Sequence, residues 1–272
     1  MILSIITINR NNSSGLDRTM SSVAAQKYKG FEYIVVDGAS TDGSVNVIKK
    51  HESGSGKRLK WVSEPDSGIY NAMNKGLGMA EGEYVQFLNS GDCLADNSVI
   101  EKMITALEER NTPSILYGNM LKEMSDGSLK RDISFAGRDI TMLDMFTGTL
   151  NHSPAYIKRD LFDKYGLYDE SLKIVSDWKW FLQSIVLGGE IPQYVDVDVT
   201  RFDMTGISET NKELNRAERR KVLEELLPKA ILQDYDRYSF AMEQFARLQR
   251  HPWAYKFVWF LERCLFKIEK HK

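Results

Sequence analysis

Short apolar runs alternate with amphipathic stretches along the first 110 residues. The runs begin at Leu3, Phe31, Leu59 and Tyr84, are rich in β-branched and aromatic residues, and end in polar turns. The stretches between and after them are predicted helices; the one beginning near Asn97 carries apolar residues at helical spacing. Strand–helix units that repeat about every thirty residues predict an α/β fold with a doubly wound, mainly parallel sheet.

The pattern changes after residue 113. Two β-rich segments, Ile115–Met124 and Ser128–Ser134, flank Asp126-Gly127 and predict a hairpin. Further on, the spacing predicts a short helix over 139–146, a strand over 153–158, a helix over 177–187 and a strand over 195–199 with one wet face.

A change in composition predicts the domain organisation. From about Ser208 the chain is helical and highly charged. We therefore expect one domain over 1–206, with halves 1–112 and 113–206, and a helical C-terminal extension over 207–272.

Composition excludes several classes of protein. The 272 residues include 36 Lys and Arg against 38 Asp and Glu, a net charge of −2, which argues against a nucleic-acid partner. Two cysteines far apart make neither a disulfide framework nor a zinc pattern. The N-terminus lacks the basic start of a secretion signal, and no apolar run is long enough to span a membrane. These features predict a cytoplasmic protein.

Polar clusters follow three of the predicted strands. They are Asp37-Gly38, Glu64-Pro65-Asp66 and Asn89 to Asp92. Each alone is typical of a turn, but ligands of doubly wound sheets bind beyond the carboxyl ends of the strands. Glycine-rich phosphate-binding motifs are absent from the sequence. A nucleotide phosphate would then be neutralised most simply by a metal held on a carboxylate.

Four segments in order resemble the family 2 glycosyltransferases. They read SIITINRN, YIVVDGASTDGS, SEPDSGIYNAMNKG and GEYVQFLNSGD, and the resemblance extends over residues 1–205. It implies a GT-A fold and an inverting, nucleotide-sugar-dependent transferase. The pattern is most similar to bacterial enzymes that build exopolysaccharide or O-antigen units.

The resemblance also implies a donor site. Asp37 would accept a hydrogen bond from a uracil ring, Asp66 would lie along the nucleotide, and Asp92 would bind Mn²⁺ or Mg²⁺. The full donor-binding set implied by the motifs is Thr7, Asn9, Asp37, Asp66, Asn74, Lys75, Asn89 and Ser90. Two positions depart from the family: Asn89 to Asp92 holds one carboxylate where D-x-D-D is common, and Asn71 stands where Asp is frequent.

The second half is expected to supply the base and the acceptor contacts. The resemblance makes Asp177 the general base, although Ser176 replaces the usual Glu and either residue also suits a helix N-cap. His152, in the segment Asn151-His152-Ser153-Pro154, is a candidate contact to acceptor or diphosphate, and otherwise an ordinary loop residue. Trp180 is predicted to stack on a sugar ring, whereas Trp178 is assigned to the core.

Residues 251–272 place aromatic and aliphatic residues at helical spacing among lysines and an arginine. This pattern is typical of an interfacial helix beside a lipid-linked acceptor, and equally of a helix packed on its own domain or on a second subunit, as in a homodimer.

The sequence as a whole predicts transfer of a sugar from a nucleotide-diphosphate donor, with UDP favoured, to a hydroxyl of a glycan or lipid-linked acceptor in cell-surface polysaccharide biosynthesis. A sugar nucleotidyltransferase is a weaker alternative, because the turn after the first strand lacks a glycine-rich activating loop. A catalytically inactive nucleotide-sugar-binding scaffold is the other alternative, suggested by Asn71, Asn89 and Gly91.

Overall fold

The computed structural model describes residues 2–55, 58–124, 126–204 and 211–269. The chain divides into two compact units, residues 1–219 and 220–272. The boundary predicted near Gly206 falls outside the described residues, and this division lies later in the chain. The reason is that residues 218 and 219 bind loops of the first unit: Glu218 accepts hydrogen bonds from the backbone of Lys173 and Ile174, and Arg219 donates one to the carbonyl of Gly148.

The first unit is built on one sheet with helices around it. The strands are β1 Leu3–Asn9, β2 Phe31–Asp37, β3 Leu59–Ser63, β4 Tyr84–Phe87, β5 Cys93–Leu94, β6 Ile115–Glu123, β7 Leu129–Asp132, β8 Ala155–Lys158 and β9 Gln193–Asp203. The helices are α1 Ser13–Ala24, α2 Ser44–Ser55, α3 Ile69–Met79, α4 Val99–Glu109, α5 Met142–Thr147, α6 Asp160–Tyr165 and α7 Ser176–Phe181, and α7 continues as a π-helix over Leu182–Leu187. Helix α8, Lys212–Leu226, contains the boundary between the units, and α9 Lys229–Gln249 and α10 Pro252–Glu269 follow.

The strand order is β3-β2-β1-β4-β8-β6-β9-β5, with β7 paired to β6. The first four strands of this order are parallel, as predicted, and every residue of β1 and β2 is buried, which explains their apolar β-branched composition. In the second half β8 runs antiparallel to both β4 and β6, whereas β9 runs parallel to β6. The fold is α/β and its sheet is mixed. The mainly parallel arrangement that the sequence predicts holds for the first half of the sheet.

This topology decides which loops meet. The carboxyl ends of β1, β2, β3 and β4 share one edge, and β6 and β9 end there too because they run in the same direction. Strand β8 runs the other way, so the residues that precede it reach the same edge. The loops after β1, β3, β4 and β9 and the loop before β8 are therefore brought together.

Most predicted elements are confirmed, among them the hairpin β6–β7 and the strand predicted over 195–199, which extends as β9 over Gln193–Asp203. The predicted helix over 177–187 is present as α7 and its π-helical continuation. Two short elements were not predicted: β5, with two residues, and α6, with six.

The second unit consists of helices in its described part, over the end of α8, α9 and α10. Among the described residues, none of the helices is both long and apolar enough to cross a membrane.

Candidate active site

A cavity of about 960 Å³ opens at the edge where these loops meet. Seven of the residues predicted for the site line it: Asn9, Asp66, Asn89, Ser90, Asp92, His152 and Asp177. They come from the end of β1, from the loops after β3 and β4, from the loop before β8 and from the first turn of α7. Residues separated by up to 168 positions thus share one concave surface.

Four side chains lining this cavity carry a buried polar atom without a hydrogen-bond partner among the described residues. The atoms are Oδ1 of Asn9, Oδ1 of Asn89, Oδ2 of Asp92 and Nε of Arg219. Buried polar groups in native proteins are nearly always paired, because an unmade hydrogen bond costs about 1–3 kcal/mol. Five further such atoms lie away from the cavity among the described residues, and the four in its wall are the ones that a bound polar ligand would complete.

The loop that carries Asp92 is held in a tight turn. Gly91 has a φ of 111°, a conformation that side chains strongly disfavour, and its backbone N–H donates to the hydroxyl of Thr19 at 3.0 Å. Oδ1 of Asp92 accepts from the backbone N–H of Asp203 at 3.0 Å. Burial raises the pKa of Asp92 to about 7, and the hydrogen bond from Asp203 only partly opposes that rise.

The residues around Asp92 fit a divalent cation held by few protein ligands. Within the described ranges no cluster of three or more His, Cys, Asp or Glu side chains has metal-binding geometry. One carboxylate oxygen, Oδ2 of Asp92, is nevertheless buried at the cavity wall and lacks a partner. Such an oxygen suits Mn²⁺ or Mg²⁺ when phosphate oxygens and water complete the coordination shell.

Asp37 is completely buried and does not reach the cavity. Its carboxylate accepts from Nδ2 of Asn9 at 2.8 Å, from the hydroxyls of Ser40 and Ser63 at 2.6 Å each, and from the backbone of Ser40 at 3.0 Å. Burial would raise the pKa of Asp37, but these donors outweigh it and lower the pKa. In this arrangement Asp37 orients Asn9 and the loop after β2, and it does not line the cavity itself.

Helix α3 uses its motif residues for packing. Asn74 binds the backbone of Tyr168 through both amide atoms and also donates to Glu170, and Lys75 pairs with Glu64. Neither Asn74 nor Lys75 lines the cavity. Asn71 donates to Glu170 at 2.8 Å, a contact that an aspartate at this position could not make with the ionised Glu170 carboxylate.

Two predicted contacts do not fit their positions. Thr7 is fully buried, where its hydroxyl donates to the carbonyl of Leu88 at 2.7 Å and accepts from Tyr33 at 3.0 Å. Trp180 is also enclosed: it stacks on Phe162 with ring centres 4.5 Å apart and donates to the carbonyl of Gly166. Neither offers a surface to a ligand, so Thr7 is a packing residue of β1 and the sugar-stacking role of Trp180 is corrected to a core role.

Asp177 forms a hydrogen-bonded centre with two cavity-lining side chains. Nδ1 of His152 lies 2.9 Å from Oδ2 of Asp177, and the hydroxyl of Tyr70 lies 2.9 Å from Oδ1. Burial alone would raise the pKa of Asp177, but the contacts with His152 and Tyr70 lower it. On the far side of the imidazole, Nε2 of His152 is 3.5 Å from Nδ2 of Asn89. The centre therefore connects the predicted base with the loop that carries Asp92.

Sequence reasoning missed six charged residues of the cavity wall, namely Arg10, Lys122, Asp132, Lys173, Asp203 and Arg219. Asp203 ends β9 next to the Asp92 loop and binds Arg18 at 3.2 Å, and Arg219 stacks on the ring of Trp178 at 4.6 Å. The sequence does carry a signal for Asp203, because this residue ends a strand of alternating apolar and polar positions. The direction of β9 in the sheet, which the sequence does not show, brings Asp203 to the edge where the cavity lies. Arg219 lies in a uniformly charged helical stretch where no pattern distinguishes it.

Comparison with known proteins identifies the family. The model of glycosyl transferase family 2 matches residues 4–172, a span that includes most of the cavity-lining loops. The chain belongs to glycosyl transferase family 2. The resemblance carried by the four sequence segments is thereby confirmed.

Similar curated proteins are glycosyltransferases as well. This family 2 glycosyltransferase is 32% identical over 207 residues to an uncharacterized glycosyltransferase of Mycobacterium tuberculosis, covering 75% of this chain and 76% of the relative. It is 26% identical over 212 residues to the PGL/p-HBAD biosynthesis glycosyltransferase of Mycobacterium bovis, covering 77% and 80%.

Solved structures share the fold of this family 2 glycosyltransferase. Staphylococcus aureus TarS 1–349 in complex with UDP-GlcNAc superimposes with a TM-score of 0.66 at 21% identity, over 85% of this chain and 69% of TarS. The mannosyltransferase PcManGT of Pyrobaculum calidifontis, in complex with GDP-Man and Mn²⁺, gives a TM-score of 0.57 at 16% identity, over 80% and 60%. These similarities confirm the GT-A-like fold.

Proposed function

We propose that this glycosyltransferase moves a sugar, with inversion, from a UDP-sugar to a hydroxyl of a glycan or lipid-linked acceptor in cell-surface polysaccharide biosynthesis. The observation that carries the proposal is the group of four unpartnered polar atoms of Asn9, Asn89, Asp92 and Arg219 in one cavity. They offer acceptors, a carboxylate and a guanidinium, which suit a nucleoside diphosphate sugar and the cation that accompanies it.

The proposed reaction is a single displacement. The acceptor oxygen attacks the anomeric carbon from the face opposite the diphosphate, and the bond between that carbon and the β-phosphate oxygen breaks. UDP leaves with the bonding electron pair, and the centre built around Asp177 removes the acceptor proton. A base positioned in this way contributes roughly 10²–10⁴ to the rate.

Asp92 is the proposed metal-binding residue, and Asn89 and Ser90 next to it face the same cavity. Bound Mn²⁺ or Mg²⁺ would supply positive charge against the diphosphate as it leaves. Asp92 would contribute one carboxylate oxygen to the cation, and Asp203 holds that carboxylate through its backbone N–H. Metal binding that depends on donor phosphates is the expected consequence.

The choice of UDP rests on sequence resemblance and on the related TarS structure, which contains UDP-GlcNAc. The PcManGT structure contains GDP-Man and Mn²⁺, so GDP is the main alternative nucleotide.

A glycan or lipid-linked acceptor agrees with a relative named for PGL/p-HBAD biosynthesis. A cytoplasmic location, with the second unit at a membrane surface, would place the enzyme beside such an acceptor.

The first experiment is thermal unfolding of the full chain with UDP, GDP or dTDP, each with and without Mn²⁺. A ligand at 100 times its Kd adds about 2.7 kcal/mol to the stability of the native state. For a protein of this size that is a rise in Tm of about 5–10 °C. We expect the rise with UDP and expect Mn²⁺ to increase it.

The matched variants are Asp92→Asn and Glu101→Gln. Asp92→Asn keeps an oxygen that can accept from Asp203 but loses the carboxylate, so the Mn²⁺-dependent part of the rise should vanish. Glu101→Gln removes an exposed carboxylate of α4 and should behave as wild type. A rise in Tm with GDP alone would identify a GDP-sugar, and not a UDP-sugar, as the donor. No rise with any nucleotide would favour the inactive scaffold.

A further inference from the structure

We propose that Arg219 binds a negatively charged group of the acceptor, a phosphate or a carboxylate, so that the acceptor of this glycosyltransferase is an anionic glycan or lipid-linked sugar. The inference rests on the proposed function and names the chemical class of its acceptor. Among the four unpartnered atoms of the cavity, Nε of Arg219 is thereby assigned to the acceptor, and the atoms of Asn9, Asn89 and Asp92 remain for the donor and its cation.

One edge of the Arg219 guanidinium has no hydrogen-bond partner in the part of the chain that the structure describes. Nη1 donates to the carbonyl of Gly148 at 2.9 Å, whereas Nε is buried and unpaired. Nη2 also lacks a partner there and, unlike Nε, is not buried. Nε and Nη2 share one edge of the planar fork, and their two N–H groups match two oxygens of a carboxylate or a phosphate. The free edge therefore suits a bidentate oxyanion.

The guanidinium is held in one orientation by the protein itself. It lies over the ring of Trp178, 4.6 Å from the ring centre. Trp178 is 2% exposed and donates from its indole nitrogen to the carbonyl of Met145 at 2.7 Å, so the ring is fixed in turn. The contact with the ring and the bond to Gly148 restrict the rotamers of Arg219, which lowers the entropy cost of binding an anion.

The positive charge of Arg219 lacks a close counter-charge. Two of the four lysine and arginine side chains that line the cavity pair with acids of its wall, Arg10 with Asp66 and Lys122 with Asp132. Lys173 and Arg219 make no ion pair among the described residues. Burial lowers the pKa of Arg219, and the charge of Asp177, beyond ion-pair distance, only partly opposes this. A bound anion would offset the cost of the partly buried, unpaired cation.

Lys173 and Asn215 extend the same wall of the cavity. Asn215 and Arg219 are four residues apart on α8 and so lie on one face of the helix. Glu218 of the same helix accepts from the backbone N–H of Lys173 at 2.7 Å, which holds that residue next to α8. The side chains of all three line the cavity. The wall thus offers two positive charges and an amide to one ligand.

This wall lies on the side of the proposed base. Trp178, which stacks on Arg219, directly follows Asp177 in α7, and Asp177 is the acid whose charge acts on Arg219. The charges that act on Asp92 are different ones, namely those of His152, Asp203 and Arg18. The donor diphosphate is expected at Asp92 and the acceptor at Asp177. An anion at Arg219 would therefore belong to the acceptor.

The first measurement is calorimetric titration of the full chain, saturated with UDP and Mn²⁺, with probes built on one sugar ring. Glucose 1-phosphate carries a phosphate, glucuronate carries a carboxylate, and methyl glucoside is the neutral match. UDP fills the donor site, so a phosphate probe cannot bind there. We expect at least one anionic probe to bind roughly 10–100-fold more tightly than methyl glucoside, the factor that charged hydrogen bonds provide. The probe that binds distinguishes a phosphate from a carboxylate.

The variants test whether the wall around Arg219 makes this distinction. Arg219→Gln should abolish the preference for the anionic probe, and Lys173→Gln should reduce it by a smaller factor. Arg219→Lys keeps the charge but not the two-pronged edge, so its preference should be intermediate. Arg216→Gln, at an exposed position of α8 outside the cavity, is the matched control and should bind as wild type. The Kd for UDP with Mn²⁺ should be the same in every variant.

A second measurement follows the unpaired donor in the wild-type protein, independently of how well the variants fold. The Nε–H signal of Arg219 in a ¹H–¹⁵N NMR spectrum is assigned by its absence from Arg219→Lys. We expect the signal to shift when an anionic probe is added to the complex with UDP and Mn²⁺, and to stay in place with methyl glucoside. A signal that neither anionic probe shifts would overturn the proposal.

The outcomes separate this inference from the proposed function. Equal binding of anionic and neutral probes by wild type that UDP stabilises would overturn the anionic acceptor and leave the transferase intact. Loss of UDP binding in Arg219→Gln at an unchanged Tm would make Arg219 a donor ligand instead. Weaker binding of UDP-glucuronate, but not of UDP-glucose, by Arg219→Gln would place the anion on the donor sugar, with the same consequence. Wild type that neither releases UDP from UDP-sugars nor is stabilised by any nucleotide would end the proposed function, whatever the Arg219 signal does.

Discussion

Asp177 is the residue on which the proposed chemistry depends most directly. It lies in the first turn of α7 and has a partner on each carboxylate oxygen, Tyr70 and His152. Replacement by Asn keeps the size of the side chain and removes the negative charge. The donor is expected to bind on the side of the cavity formed by the Asp92 loop, so its binding should not require Asp177.

We therefore expect Asp177→Asn to lower the rate of sugar transfer by about 10²–10⁴-fold while the Kd for the nucleotide changes little. The rate is measured as UDP release, and the Kd by calorimetry with UDP and Mn²⁺. Asp163→Asn, at an exposed position of α6, is the matched control. Loss of UDP binding in Asp177→Asn would show that the carboxylate belongs to the donor site.

The sequence predicted some of the charged residues of the site, but not how they are oriented. Asp92 and Asp177 were predicted and line the cavity. Asp37 was predicted from the same kind of motif, yet its carboxylate is occupied by Asn9, Ser40 and Ser63. A motif fixes the place of a residue on a strand end, whereas the direction of its side chain depends on neighbours from distant segments. For that reason the contact between His152 and Asp177 could not be read from the sequence.

At the scale of elements, α8 supports the segment that leads into α7. Glu218 of α8 is buried and accepts from the backbone N–H of Lys173 at 2.7 Å and of Ile174 at 2.9 Å. The carbonyl of Ile174 in turn accepts from Tyr70 at 2.6 Å. One carboxylate on a helix thus fixes the residues just before Asp177.

We expect Glu218→Gln to lower the free energy of unfolding by about 1–3 kcal/mol, because its amide group would turn an N–H toward one of two backbone N–H donors. UDP release should also slow, since the segment before Asp177 loosens, while UDP binding should persist. Urea unfolding measures the stability. Glu213→Gln, exposed on the same helix, is the control, and equal stability of the two variants would contradict the role given to Glu218.

Element prediction succeeded where the local pattern was strong. β1 and β2 were predictable because their apolar β-branched runs end in polar turns. β5 and α6 are too short for any periodic signal, and they form because neighbouring strands and loops hold them. The antiparallel direction of β8, which brings His152 to the active edge, is a property of the whole sheet.

At the scale of the whole molecule, the second unit differs from the first in its surface. In α9 and α10 many large apolar side chains are exposed, including Phe240 at 65%, Trp253 at 76% and Phe260 at 62%. Large exposed apolar side chains concentrated in two successive helices make this region a candidate interaction surface. Aromatic residues beside Lys256 and Arg263, which are also accessible, suit the interface of an anionic lipid bilayer.

We expect the full chain to sediment with vesicles of phosphatidylglycerol and much less with vesicles of phosphatidylcholine. The triple change Trp253→Ser, Phe257→Ser and Phe260→Ser should abolish sedimentation and leave UDP release unchanged, because these residues lie outside the cavity. Ile191→Ser, which removes an apolar side chain 72% exposed in the first unit, is the control. Analytical ultracentrifugation without lipid tests the alternative: a dimer that the triple variant dissociates, with no vesicle binding by wild type, would assign this surface to a second copy of the chain.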